Sequence, residues 1–230
     1  MTFTATLDQV LMLQQLGTGR SDRRASRGGS LELRSAARWV DAVLPHRSVE
    51  MSLPAGRYGV VLHWTTSDEL ALVELIPVAS PLNHHLFQGD PGTLADEDHH
   101  AIDDCRARLR LLDDADFVFE EISLEHDDDD APANLFCVCD DETHAALVAW
   151  EEAFSAREDA PNFWDDCLAP LVEDAFEMGF ARVRMEGVKD ELFVLDAGIT
   201  ASRAIVLRSG SGALLSYFVD FGRVMLSLED

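Results

Sequence analysis

A run of histidines and carboxylates near residue 100 is the part of this sequence whose residue types best match metal chemistry. Residues 96–104 read Asp-Glu-Asp-His-His-Ala-Ile-Asp-Asp. If this run is helical, His99 and Asp103 lie one turn apart on one face, with His100 next to them. Imidazole and carboxylate groups bind zinc and manganese. The run predicts a divalent-metal site at His99, His100 and Asp103, although the sequence favours the alternative of an ordinary acidic start of a helix.

Carboxylates without histidine form the second group of candidate residues, and they suit the binding of a basic surface. Residues 90–177 contain 28 Asp and Glu against 4 Arg, a net charge of −24 out of −25 for the whole chain. A field this concentrated repels nucleic acid and anionic membranes, and it attracts basic proteins and cations. The candidate binding residues are an acidic turn, two neighbouring carboxylates and a tryptophan beside two acids: Asp127, Asp128, Asp129, Asp130, Glu151, Glu152, Trp164, Asp165 and Asp166.

These features predict an acidic binding protein, rather than an enzyme, that engages the surface of a basic protein. An inhibitor, an immunity-type protein, a nucleic-acid mimic and a chaperone-like protein all suit the charge, and no direct binding to nucleic acid or membrane is expected. The alternative is a metal-dependent hydrolase that uses the cluster at residues 96–104, completed by His63 or by His84 and His85. Apart from that divalent metal, no cofactor is expected. Two questions stay open: the oligomeric state, and whether the acidity reflects a salt-adapted host.

The cysteines predict a reducing compartment. Cys105, Cys137, Cys139 and Cys167 lack the paired Cys-x-x-Cys spacing of zinc sites, so buried thiols are the better interpretation. No early segment combines a charged start with an apolar run, and no stretch approaches 18 apolar residues. Together these features predict a cytoplasmic protein.

Residues 1–89 predict helices followed by strands. Apolar side chains recur three or four residues apart in two stretches, and Pro45 closes the second stretch. The expected elements are a helix at 7–16, a flexible basic loop at 19–30, a helix at 30–44, and a three-strand meander at 49–53, 57–64 and 70–78.

Residues 90–230 predict an acidic α/β segment that ends in antiparallel strands. Asp140 or Asp141 is expected to cap a helix that presents Leu147, Trp150 and Phe154 at helical spacing. The other expected elements are helices at 93–112 and 163–178, an acidic turn at 126–132, and strands at 117–124, 135–139, 181–186, 191–195, 203–208, 214–220 and 224–228. The predicted class is α+β: antiparallel sheet or sheets with helices packed on one face, and an N-terminal helical pair. The segments 1–89 and 90–230 form two domains or one continuous domain.

Overall fold

The described part of the chain is mostly strand, and the chain folds into two compact units. The computed structural model describes residues 2–5, 23–65, 70–80, 82, 92–93, 117–123, 135–157, 162–172, 180–184, 192–196 and 203–221. Each unit is assembled from segments that are distant in sequence: unit 1 from Met1–Leu31, Arg57–Ser123 and Ala201–Asp230, and unit 2 from Glu32–Gly56 and Leu124–Thr200. The boundary expected between residues 89 and 90 lies outside the described residues and stays a prediction.

An antiparallel sheet of eight strands belongs mainly to unit 1. The strands are β1 Thr2–Ala5, β2 Arg23–Leu33, β5 Gly56–Thr65, β6 Leu70–Pro77, β7 Gly92–Thr93, β8 Phe117–Ser123, β12 Arg203–Arg208 and β13 Leu214–Asp220. Their order is β1-β8-β12-β13-β6-β5-β2-β7. The central strands are almost continuous apolar runs, and every residue of β6 from Leu70 to Ile76 is buried. Such runs are typical of strands that are covered on both faces.

Unit 2 contains a five-stranded antiparallel sheet with helices on one face. Its strands are β3 Ala37–Asp41, β4 Ser48–Glu50, β9 Leu135–Asp140, β10 Phe180–Val183 and β11 Leu192–Asp196. Their order is β10-β11-β9-β3-β4. The helices are α1 Asp141–Ser155, a π-helix Trp164–Leu168 and α2 Ala169–Val172.

One apolar cluster joins these helices to the sheet of unit 2. From the helical side come Leu147, Phe163, Leu168 and Val172, and from the strands come Val40, Cys137, Cys139, Ala181, Val183, Leu192 and Val194. The opposite face of the sheet is also buried and is rich in aromatic residues, where Trp39 stacks on Phe136 with ring centroids 4.6 Å apart. No helix in the described part of the chain is long and apolar enough to cross a lipid bilayer.

The predicted α+β class with an N-terminal helical pair is wrong, because the described part of the chain is mostly β. The second helix of that pair is replaced by β2 and β3. Leu31 and Leu33 are buried while Glu32 and Arg34 are exposed, so the burial has the two-residue period of a strand. The residues predicted as the first helix, 7–16, lie outside the described residues.

Several other predicted elements can be compared with the structure. The helix after Asp140 is confirmed, and the strands predicted at 57–64, 70–78, 135–139, 203–208 and 214–220 are confirmed as β5, β6, β9, β12 and β13. The predicted three-strand meander is not formed, because β4 pairs with β3 in the sheet of unit 2, whereas β5 and β6 pair with each other in the other sheet. The residues of the predicted turn at 126–132 and of the predicted strand at 224–228 lie outside the described part. So does the predicted helix at 93–112 beyond Thr93.

The carboxylate of Asp140 fixes the start of α1. Its Oδ1 accepts a hydrogen bond from the Thr143 amide at 2.8 Å, and its Oδ2 accepts one from the Arg34 amide at 2.9 Å. The first bond caps the helix, and the second ties the segment between β2 and β3 to that cap. Burial by itself would raise the pKa of Asp140, but these amide hydrogen bonds outweigh it and the pKa lies below its ordinary value of 3.8.

We expect Asp140→Asn to lower the free energy of unfolding by about 1–2 kcal/mol near neutral pH. The amide side chain keeps one acceptor, but its NH2 group cannot accept the Arg34 amide. Because the native pKa is lowered, the native carboxylate contributes stability above the unfolded pKa near 4, and this contribution is lost as pH falls through the native pKa. Urea unfolding at several pH values checks both points. The acid-range slope should be smaller in the variant than in the wild type, and equal slopes in the two proteins would contradict the assignment.

Candidate functional site

The described helices of unit 2 carry acidic residues and no lysine or arginine. α1 contains Asp141, Glu142, Glu151 and Glu152, and the π-helix contains Asp165 and Asp166. Four of these side chains are exposed, and we call them the acidic face: Glu142, Glu152, Asp165 and Asp166. Within the described residues, neither Glu152 nor Asp165 forms an ion pair.

Apolar packing holds α1 beside the segment that begins at Phe163. Leu147 is fully buried, while Trp150 and Phe154 are partly buried against the same cluster. The ring of Phe163 lies edge-on between them, with centroids 5.4 Å from Trp150 and 6.0 Å from Phe154. Edge-to-face aromatic pairs of this kind add specificity to apolar burial. The outer residues of both helical segments are therefore presented by a packed support.

Asp141 and Glu151 lie beside basic side chains of unit 2. Asp141 accepts a hydrogen bond from the Arg38 guanidinium, which also lies 3.3 Å from Ser48 Oγ. Glu151 has a side chain only 14% exposed and lies beside His46, with 3.6 Å between Oε1 and Nδ1. Of the two neighbouring carboxylates predicted to bind a partner, Glu152 is thus the exposed one.

The candidate anchor Trp164 is half-buried, and the acids beside it differ in role. Trp164 packs against the apolar cluster of unit 2. Asp166 Oδ2 accepts a hydrogen bond from the Asn162 amide at 2.8 Å, while Asn162 Oδ1 accepts one from the Asp165 amide at 3.1 Å. This reciprocal pair caps the helical segment, so Asp166 also has a structural role. The carboxylate of Asp165 makes no such bond.

The structure does not describe the residues of the predicted metal site. Several candidate residues for metal binding and partner binding lie outside the described residues, so their roles stay predictions: His84, His85, His99, His100, Asp103 and Asp127 to Asp130. Where the structure does describe the chain, no three His, Cys, Asp or Glu residues come together to hold a metal ion.

The cysteines described in unit 2 are free thiols whose surroundings disfavour the thiolate form. Cys137 and Cys139 are buried on β9, and Cys167 is partly buried. Burial raises the pKa of all three, with the charge of the neighbouring Cys139 and of Asp41 adding to the effect at Cys137. The interpretation of Cys137 and Cys139 as small apolar core residues is confirmed.

The sequence analysis did not predict a buried polar network that lies in unit 1. Glu74 on β6 accepts a hydrogen bond from Ser216 Oγ at 2.7 Å, and its other oxygen lies 3.2 Å from His63 Nε2. All three side chains are buried, and Glu74 is 3% exposed. The one available signal was a glutamate inside the apolar run 70–76.

The geometry of this network does not suit a nucleophilic serine. Serine and histidine both bond to the glutamate, so the histidine does not lie between the hydroxyl and the acid as a general base must. The Ser216 hydroxyl donates to Glu74 and is fully buried. The network instead supplies hydrogen bonds to a buried carboxylate, which is costly to leave unpaired.

We expect Glu74→Ala to destabilise the protein by about 3 kcal/mol, because it leaves His63 and Ser216 buried without their shared partner. Ser216→Ala removes one hydrogen bond and should cost about 1 kcal/mol. Urea unfolding of both variants measures the difference. A larger loss for Ser216→Ala than for Glu74→Ala would show that Glu74 does not organise the network.

The acidic residues near the end of α1 oppose the helix dipole. A helix favours negative charge at its beginning and positive charge at its end, yet the last turn of α1 holds no basic residue. We expect Glu152→Arg to stabilise the protein by about 0.5 kcal/mol and the matched change Glu142→Arg, in the first turn, to destabilise it by a similar amount. Thermal unfolding at low salt checks the pair, and a loss of stability in Glu152→Arg would contradict the account.

No protein-family model, curated protein or solved structure matches this chain. Function is therefore inferred from the geometry and charge of the described residues.

Proposed function

We propose that this protein is an acidic binding protein that uses the acidic face of unit 2 to engage a basic surface on a partner protein. The supporting observation is that this face holds four exposed carboxylates on helices that contain no lysine or arginine. Carboxylates fixed on a packed support can meet arginines of a partner without first being ordered, which lowers the cost of association.

The position of Glu152 adds a second argument. Its charge lies near the end of α1, where it works against the helix dipole. It forms no ion pair with a described residue that would offset this cost. Residues that reduce stability without serving the fold are typical of functional surfaces.

The charge also suggests how the complex forms. Attraction between a face of one sign and an oppositely charged partner speeds association and makes binding sensitive to salt. An inhibitor, an immunity-type protein, a nucleic-acid mimic and a chaperone-like protein all use such a face. The free thiols of Cys137, Cys139 and Cys167 suit a reducing compartment, and we place the protein in the cytoplasm.

The test compares two double variants with the same net charge. Glu152→Gln/Asp165→Asn neutralises the two members of the acidic face that carry no structural hydrogen bond among the described residues. Glu32→Gln/Glu50→Gln neutralises two exposed carboxylates of unit 2 outside the helices. The probe is an arginine-rich peptide, and its affinity is measured by calorimetry at low and at high salt.

We expect the first variant to lose roughly threefold to tenfold in affinity at low salt, since each exposed ion pair contributes up to about 1 kcal/mol. The control variant should bind like the wild type, and the difference should shrink at high salt because charges are then screened. Equal losses in the two variants would mean that the peptide responds to net charge alone, and the proposal would fail.

A further inference from the structure

An exposed leucine stands on the same helical segment as Asp165 and Asp166. Among the large apolar side chains whose burial the structure describes, Val78 and Leu171 are exposed, each to 50%. Leu171 lies on α2, one helical turn after Cys167, which is partly exposed, and it follows the exposed Pro170. We call Cys167, Pro170 and Leu171 the apolar patch.

The acidic and apolar groups of this segment are one helical turn apart. Turns of a π-helix are wider than those of an α-helix, so residues about four to five apart are neighbours, and Pro170 and Leu171 lie about one turn after Asp166 and Cys167. The segment therefore presents two carboxylates in its first turn and two exposed apolar side chains in its second. A surface of this composition matches a protein segment that carries both arginine and an apolar side chain.

Several local interactions restrict the backbone of this segment. Pro170 has no amide hydrogen, and its ring excludes the α-helical position of the Asp166 carbonyl. The turn before it widens into a π-helix, in which the Ala169 amide donates to the Trp164 carbonyl. Leu168 and Val172 are buried beneath the patch, and the hydrogen bonds between Asn162 and Asp166 fix its start. The apolar patch is thus preorganised, which favours binding.

We infer that the apolar patch receives one apolar side chain of the basic partner, next to an arginine that pairs with Asp165 or Asp166. This inference rests on the proposed function, since it adds a contact to the same partner. Arginine suits the site because its planar guanidinium binds carboxylates with two donors. A second copy of this chain suits it less, because two acidic faces would repel each other.

The positive charge of Arg157 offers a way to test whether the ligand that binds near Cys167 is cationic. Arg157 lies at the end of α1, 5.0 Å from the centroid of the Phe154 ring, and its charge lowers the pKa of Cys167 against the larger effect of burial. The positive charge of Arg157 therefore acts at Cys167 and opposes the approach of a cationic ligand there. Its removal should strengthen the binding of any arginine-rich segment at this place.

The experiment uses two peptides of equal charge, one with arginines around a single leucine and one with serine in place of that leucine. Leu171→Ser removes the exposed leucine of the patch, and Val78→Ser is the matched control, because Val78 has the same exposure in unit 1. We expect the wild type to bind the leucine peptide about fivefold more tightly than the serine peptide, as partial burial of one leucine implies. Leu171→Ser should abolish this ratio, Val78→Ser should keep it, and Arg157→Gln should raise the affinity for both peptides.

Each other outcome overturns a defined part of the account. If both peptides bind equally and Glu152→Gln/Asp165→Asn weakens both, the apolar contact is refuted while the proposed function stands. If the peptides do not respond to that double variant, the proposed function fails as well. If the wild type is a dimer that Leu171→Ser converts into a monomer, the patch belongs to contact between two copies, and the inference is overturned.

Discussion

The arrangement of unit 2 depends on one buried carboxylate. Asp140 ends β9, caps α1 through the Thr143 amide and holds the Arg34 amide before β3 begins. A cap alone contributes about 1 kcal/mol, and a buried acceptor shared by two amides contributes more because either amide would otherwise be left unpaired. Asp140 thus fixes where α1 begins, and the apolar packing of Leu147, Trp150 and Phe154 holds the helix that presents the exposed carboxylates.

Among the described residues, two groups of acids have different physical roles. Asp41, Glu74, Asp140 and Asp220 are buried, and each accepts hydrogen bonds that close a turn, cap a helix or join strands. Glu152 and Asp165 are exposed and form no such bond among the described residues. The buried acids of the first group therefore stabilise the fold, which accounts for part of the negative charge. The second group is available to bind a partner. Asp166 belongs to both groups, because it caps the helix and remains exposed.

Sequence patterns correctly predicted those elements that short-range interactions stabilise. α1 was predictable because its cap residue and the spacing of Leu147, Trp150 and Phe154 agree. β6 was predictable because seven successive residues, including Glu74, are buried in a β-rich run. β2 was not predictable, because Arg, Ser and Gly dominate residues 23–30 and are typical of loops, while pairing with β5 and β7 makes the segment a strand. The network of Glu74 with His63 and Ser216 joins three strands, and no spacing within the sequence indicates such a contact.

The central claim is that the exposed carboxylates on the helices of unit 2 form the binding surface. A nuclear magnetic resonance titration with an arginine-rich peptide tests this most directly, because backbone amide shifts report contact residue by residue. The account predicts shifts concentrated at residues 142, 152 and 162–171, with the strands of unit 1 unchanged. Shifts that spread evenly over the acidic residues of both units, or that leave residues 162–171 unchanged, would contradict it.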